Sequence, residues 1–83
     1  MTGALRSAVF EIEALACAQT VPKLLNYFAQ RDILPGRVEW ETSDNMCKIT
    51  IETQQFTYDV ANIVAEKMRC QVNVQSVHLR IYI

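Results

Sequence analysis

The sequence has little glycine and histidine, with two and one of them among its 83 residues, and it lacks paired cysteines. Cys17, Cys47 and Cys70 are widely spaced and form no CxxC pair, and the single histidine adds little to them as a metal ligand. We therefore interpret the cysteines as small buried hydrophobes in a reducing compartment. No metal site and no cofactor are predicted.

The charges show no excess of basic residues, with eight Lys and Arg against nine Asp and Glu. This balance argues against the electrostatic attraction on which sequence-independent nucleic-acid binding depends. No stretch reaches the ~18 to 20 apolar residues that span a membrane, and acidic residues follow the start too closely for a signal peptide. We expect one small cytoplasmic domain over residues 1–83, with neither nucleic acid nor a membrane as partner.

Hydrophobic periodicity divides the sequence into six elements. It predicts strands over residues 7–14, 37–42, 47–52 and 72–83, and helices over about 20–31 and 57–70. Thr20 is the expected cap of the first helix, and Pro22 follows in the first turn, where its missing N–H costs nothing. Residues 43–45 supply the turn of a hairpin between the second and third strands.

The element order is therefore β-α-β-β-α-β, which predicts an α+β, ferredoxin-like sandwich. Right-handed crossovers place both helices on one face of a four-stranded antiparallel sheet, with spatial order 4-1-3-2. The charges of the open face agree with that order, because it sets basic and acidic strands largely side by side.

The last strand changes the side of its apolar residues partway along. Val72 and Val74 would face one side of a regular strand, and the later apolar residues would face the other: Val77, Leu79, Ile81 and Ile83. We interpret the change as a bulge or twist near Gln75 and Ser76, with Val72 and Val74 closing the end of the core.

No arrangement of residues predicts catalysis, and an enzyme is not expected. His78 falls on an outward position of the last strand, where a solvated pair with Glu11 or Glu13 explains it. Copper carriers of the same topology have a CxxC pair where Cys17 stands alone. RNA-binding domains stack bases on aromatic side chains of the open face, and that face here carries glutamates.

Two segments resemble a known family of small regulatory modules, the ACT domains. Residues 67–79, KMRCQVNVQSVHL, are similar to the end of the second helix and the fourth strand of that family, where a V-D-V-x-x-V-x-(L/I) pattern is common. Residues 20–33, TVPKLLNYFAQRDI, resemble its first helix. By size and layout, the chain is similar to the short ACT-type regulatory subunits of acetolactate synthase.

The resemblance implies a non-catalytic domain that forms a homodimer and senses an amino acid, or that regulates the catalytic subunit of a biosynthetic enzyme. In this family the sheets often join through the second strands and first helices, and the effector lies against the loop before the first helix. Gln19, Thr20 and Val21 would then lie nearest to the ligand, where free N–H groups suit a carboxylate. The alternative is a structural or assembly module of ACT-like fold that has lost its effector, which the glycine-free loop ACAQTVPK favours.

Four further residues are candidates for the contact between two copies: Leu34, Pro35, Val38 and Trp40. Leu34 and Pro35 stand beside the end of the first helix, although turn chemistry alone accounts for the proline. Alternation puts Trp40 with Val38 on the core side, so core burial is favoured over an exposed partner contact. In either case the edge strand needs a cover or a guarding charge.

Overall fold

The computed structural model describes residues 6–82, with every side chain in that range except those of Arg6 and Gln55. Its elements are β1 (Arg6–Leu15), α1 (Thr20–Ala29), β2 (Arg37–Ser43), β3 (Met46–Phe56), α2 (Tyr58–Arg69) and β4 (Val74–Tyr82). The predicted β-α-β-β-α-β order is confirmed. The prediction for Ile83 falls outside the described residues. Within those residues, neither helix is long and apolar enough to cross a membrane.

The sheet has four strands in the order β2-β3-β1-β4, and all neighbouring strands are antiparallel. This is the predicted order 4-1-3-2, so β2 and β4 form the two edges. The expected charge pairing on the open face is present: Arg80 Nη2 lies 3.1 Å from Glu11 Oε1, and Glu13 stands opposite Lys48. These pairs are exposed and contribute at most about 1 kcal/mol each.

The core lies between the other face of the sheet and the two helices. Alternate residues of the central strands are fully buried on that face, as the sequence predicted for Phe10 and Ile12. Phe10 of β1, Phe28 of α1 and Phe56 at the end of β3 meet there, with ring centroids 5.3 to 5.8 Å apart. These three rings join the sheet to the first helix.

The irregularity in β4 is a bulge, as predicted. Ser76 pairs with Glu13 and Val74 pairs with the next residue of β1, so Gln75 is the extra residue in the ladder. Val74 and Val77 consequently share the core side, and Val74 packs against the core. Val72 does not: it is 92% exposed in the connection before β4, so the prediction that it closes the core is wrong.

Two of the three cysteines were also assigned wrongly to the interior. Cys47 is buried on β3, whereas Cys17, in the loop after β1, and Cys70, at the C-terminal cap of α2, are exposed. Both exposed thiols lie in connections between elements, which run over the surface because their backbone groups need water or local partners. Periodicity within an element does not extend to such positions.

Candidate functional site

The loop between β1 and α1, residues 16–19, is held in place at one end of the sheet. The Leu15 N–H donates to the Asn73 carbonyl and the Ala16 N–H to the Asn45 carbonyl, each over 2.8 Å. The loop is therefore tied to the α2–β4 connection on one side and to the β2–β3 turn on the other. Two grooves open beside the first turn of α1, and both are lined by Ala18 and Pro22.

The first groove lies between α1 and the edge strand, and we name it the β2-side groove. It encloses about 710 Å³, and its main lining side chains are Cys17, Val21, Pro22, Leu25, Trp40 and Cys47. Thr42 brings a hydroxyl, which lies 4.0 Å from the Cys47 sulfur. No charged side chain lines this groove. Its surface therefore suits an apolar partner better than a small ion.

Trp40 lies on the face that the sequence predicted, but it is not core. It stands opposite Ile49, which is buried, yet 56% of its own surface is exposed. The reason is its place on the edge strand, where a groove separates it from Val21 and Leu25 of α1. The prediction of core burial is wrong, and the indole is instead a large exposed apolar side chain beside the β2-side groove.

The other three residues predicted for an interface lie on or before the same strand. Val38 is half-buried and packs against the core from β2. Leu34 is 89% exposed and Pro35 is half-buried, and both belong to the connection between α1 and β2. Trp40 and Leu34 are therefore the members of this set with most surface free for a contact.

The second groove lies between α1 and the connection that follows α2, and we name it the α2-side groove. It encloses about 480 Å³ and brings together polar side chains of α1 and of that connection: Gln19, Lys23, Asn26, Tyr27 and Gln71. The Tyr27 hydroxyl donates to Gln71 Oε1 over 2.5 Å, linking α1 to the α2–β4 connection. No acidic side chain lines this groove, and Lys23 makes no ion pair within the described part of the chain.

The three residues predicted to lie nearest an effector point to different places. Gln19 lines the α2-side groove, Val21 lines the β2-side groove, and Thr20 is only 2% exposed. Sequence reasoning missed Lys23 and Asn26, although they follow Gln19 at i+4 and i+7 and so form a polar stripe of helical period. Gln71 could not be found in this way, because only the tertiary fold brings it to α1.

Thr20 is not the helix cap that the sequence predicted. Gln19 occupies the cap position in a helical conformation without a side-chain bond, and Thr20 is the first helical residue. Its hydroxyl has no hydrogen-bond partner among the described residues, although it is buried. At the start of α2, in contrast, Thr57 is extended and its hydroxyl accepts from the Val60 N–H over 3.3 Å.

These two threonines should respond oppositely to the same substitution. Thr20→Val removes an unsatisfied buried hydroxyl at nearly constant volume, so we expect about 1 kcal/mol of added stability and a Tm higher by several degrees. Thr57→Val removes a cap and should cost about 1 kcal/mol. Thermal melting followed by circular dichroism measures both. A loss of stability in Thr20→Val would mean that the hydroxyl makes a bond in solution.

Electrostatics distinguish the two helices and mark the β2 edge. The first turn of α2 carries Asp59, whereas α1 has no acidic residue in its first turn, so nothing there offsets the positive end of its dipole.

On β2, the hydrogen bond and charge of Glu39, with a further contribution from Glu52, raise the pKa of the Arg37 guanidinium. The Arg37–Glu39 contact measures 2.8 Å and is exposed.

His78 lies in a setting that offers no catalytic geometry. It is exposed and stands opposite Glu11, whose carboxylate already lies 3.1 Å from Arg80. Within residues 6–82, no three His, Cys, Asp or Glu side chains are grouped so that they could hold a metal ion. The polar and apolar grooves beside α1 are therefore the candidate binding sites of the described residues.

Comparison with known families identifies the type of domain. A family model described as an ACT-like domain matches residues 3–82, nearly the whole chain. The chain belongs to the ACT-like domain family. This is a regulatory type of domain, as the sequence resemblance implied. No curated protein gives a significant sequence match to this ACT-like domain.

Solved structures show the same fold at low sequence identity. The ACT domain of a GTP pyrophosphokinase from Chlorobium tepidum superposes with a TM-score of 0.80 at 12% identity, over 93% of this chain and 100% of that one. The C-terminal domain of the MgtC protein from Mycobacterium tuberculosis gives 0.76 at 13% identity, over 94% and 88%. A designed protein, Ferredog-Diesel, gives 0.56 at 18% identity, over 100% and 88%. At these identities the likeness establishes the ferredoxin-like fold of the ACT-like domain and nothing further.

Proposed function

We propose that this ACT-like domain is a cytoplasmic regulatory module without catalysis of its own. In this proposal it senses an amino acid, pairs with a second copy of itself and regulates an amino-acid biosynthetic enzyme, with acetolactate synthase as the leading example. The observation that carries the proposal is the pair of unlike grooves that flank the first turn of α1. One has the polar groups that a small zwitterion needs, and the other has the apolar surface that a protein partner needs.

Pairing through β2 is supported by the difference between the two edges of the sheet. The bulge at Gln75 interrupts the β4 ladder, and such bulges protect an edge from further pairing. β2 has no bulge along its pairing with β3, from Arg37 to Ser43, and it carries the exposed indole of Trp40. A regular edge next to an apolar groove is the surface that a second strand and helix would cover best.

The charges of β2 favour one antiparallel register between two copies. Centring the pair on Glu39 sets Arg37 of each copy opposite Glu41 of the other, and Val38 opposite Trp40 on the helix side. The two central Glu39 carboxylates would face each other, but each already contacts its own Arg37 at 2.8 Å. This register unites apolar contacts on one face with opposite charges on the other.

A role beside a larger protein is supported by the natural structural neighbours. The ACT domain of the pyrophosphokinase and the MgtC domain are both parts of longer proteins. A domain of this size offers little surface for an active site of its own. Regulation of another protein by binding to it is therefore the role that we expect of this fold. A catalytic subunit is accordingly the partner that we expect beyond the second copy.

The proposal is tested by adding each of the twenty amino acids to the protein. An amino acid that is sensed should raise the Tm, because a ligand that binds only the folded state stabilises it by mass action. Trp40 is the only tryptophan of the sequence, so its emission reports the β2 edge. Dilution should shift that emission towards longer wavelength as pairs separate and the indole becomes more exposed.

Two variants separate the parts of this test. Trp40→Lys should prevent pairing, as measured by light scattering after gel filtration, whereas Tyr58→Lys changes an equally exposed aromatic, 56% in each case, on α2 and should not. The absence of any Tm increase with all twenty amino acids would contradict the sensor. A monomer at all concentrations would contradict the pairing.

The second candidate is an assembly module of ACT-like fold that has lost its effector. The observation in its favour is the loop before α1, which has no glycine to let a ligand approach the backbone and whose Thr20 is buried. Pairing through the β2-side groove would then be the whole function. A stable complex with a catalytic subunit that no amino acid alters would favour this candidate.

A further inference from the structure

We infer that the α2-side groove binds the carboxylate of a small α-amino acid or 2-oxo acid with an uncharged side chain, and that the Lys23 ammonium pairs with it. This inference deepens the proposed function and depends on it. The ligand would lie on the α2 side of α1, away from the β2 edge.

Lys23 is the charge that selects an anion. It lines the groove one helical turn after Gln19, and no carboxylate lines the groove beside it. Within residues 6–82 its ammonium has no ion-pair partner, so a ligand carboxylate would not have to displace one. Charge-assisted hydrogen bonds of this kind are shorter and stronger than neutral ones.

The hydrogen bond between Tyr27 and Gln71 orients a second donor for the carboxylate, the side-chain amide of Gln71. The Gln71 carbonyl oxygen accepts from the Tyr27 hydroxyl, which leaves the amide nitrogen of Gln71 free to donate. Gln71 is half-buried, so the contact also restricts where that nitrogen can lie. The Lys23 ammonium and the oriented Gln71 amide N–H would provide one donor for each oxygen of a carboxylate.

The remaining groups suit the rest of such a ligand. The side-chain amides of Gln19 and Asn26 offer both donors and acceptors, so they can bind either an α-amino group or a 2-oxo group. Ala18 and Pro22 form an apolar wall, which suits a short hydrocarbon side chain. A cationic side chain would find no counter-charge in the lining and would lie near Lys23, so lysine and arginine should bind least.

The β2-side groove lacks these features. Its lining contains no charged side chain, and its polar side-chain groups are the Thr42 hydroxyl, the Trp40 indole N–H and two thiols. A carboxylate there would lose its hydration without gaining a counter-charge. The two grooves are therefore not equivalent places for one ligand, although they share Ala18 and Pro22.

The experiment titrates the ¹⁵N-labelled full chain with alanine, pyruvate, leucine, 4-methyl-2-oxopentanoate and lysine, and follows the amide spectrum. The expected result is a shift of the Asn26 and Gln71 side-chain amides with an uncharged ligand, while the Trp40 indole N–H moves little. Lys23→Gln should weaken that ligand about tenfold or more, and raised salt should weaken it too. Lys48→Gln, which removes an exposed ammonium on the open face of the sheet, should leave affinity unchanged.

The outcomes separate this inference from the proposed function. Binding that shifts Trp40 and is unchanged in Lys23→Gln would overturn the inference and leave the sensor standing. Binding of the 2-oxo acids alone, lost in Lys23→Gln, would support the carboxylate site and contradict amino-acid sensing. Failure of every ligand to bind the unmodified chain would overturn both. A Gln71→Ala variant gives a second measure, since it should also weaken the ligand while keeping Lys23.

Discussion

Replacing Phe28 with alanine should bring the domain close to unfolding. We expect a loss of about 3 to 5 kcal/mol, which is the range for deleting a buried phenylalanine side chain. Small domains have total stabilities of only about 5 to 15 kcal/mol, and one of this size falls at the lower end. Urea unfolding followed by circular dichroism measures the loss directly.

The magnitude follows from the position of the ring. Phe28 is fully buried, and its centroid lies 5.3 Å from that of Phe10 and 5.8 Å from that of Phe56. Its removal leaves a cavity beneath α1 and breaks two aromatic contacts, each contributing about 0.5 to 1.5 kcal/mol beyond the area that it buries. Since α1 carries one wall of each groove, ligand binding and pairing should fail together.

Phe28→Leu is the matched control for this substitution. It keeps most of the volume and loses only the two aromatic contacts, so about 1 to 3 kcal/mol should be lost and α1 should stay in place. Tyr58→Ala removes an aromatic ring that is 56% exposed and should change stability by no more than about 0.5 kcal/mol. A Phe28→Ala protein as stable as Phe28→Leu would contradict the role given to the three rings.

The fold was predictable because each element repeats its pattern several times. Phe10 and Ile12 alternate with glutamates, and Leu24 and Phe28 recur at helical spacing, so one side of every element is specified more than once. The strand order followed from chirality of the crossovers and agreed with the charges. Even the bulge at Gln75 was visible, as a change of phase between Val74 and Val77.

The errors fall where a residue's surroundings depend on what lies beside its element. Alternation gave the face of Trp40 correctly, but it could not show that a groove separates α1 from the edge strand at this position. Residue type suggested a cap at Thr20, but the chain enters the helix one residue earlier. Val72 is apolar and next to a strand, yet it lies in a connection, where pattern has no bearing on burial.

The candidate site could be predicted only in part from the sequence, for the same reason. The loop before α1 was identified, and the polar stripe of Gln19, Lys23 and Asn26 was there to be read from helical spacing. The division into two grooves was not, because it needs Gln71 from the α2–β4 connection and Trp40 from the edge strand. The ligand site predicted around Gln19, Thr20 and Val21 surrounds a helix start that has a different surface on each side.

If a ligand and a second copy bind as proposed, that division offers a physical route by which one affects the other. Ala18 and Pro22 line both grooves, so a ligand that orders the first turn of α1 from the α2 side also orders one wall of the β2-side groove. The coupling needs no large movement, because reduced mobility at a shared wall lowers the entropy cost of the second binding event. By linkage, pairing would raise ligand affinity by the same factor.

Two single-residue deletions in β4 should have very different effects, although they are only three positions apart. Deleting His78 moves every later residue to the opposite face, so Leu79 and Ile81 turn to solvent and Arg80 turns to the core. We expect a loss of about 3 kcal/mol or more, because apolar burial is lost and a guanidinium must be desolvated. Deleting Gln75 removes the extra residue of the bulge and leaves Val74 and Val77 on the core side.

The Gln75 deletion should therefore change the free energy of unfolding by no more than about 1 kcal/mol. Urea unfolding of both deletions measures the difference, and amide hydrogen exchange along β4 shows whether the ladder from Ser76 onwards is kept. Equal damage from the two deletions would mean that Gln75 is needed for the path of the chain and is not a removable insertion. If it is removable, the regular β4 should become a second open edge, and association that survives Trp40→Lys would show that the bulge had been what kept this edge unpaired.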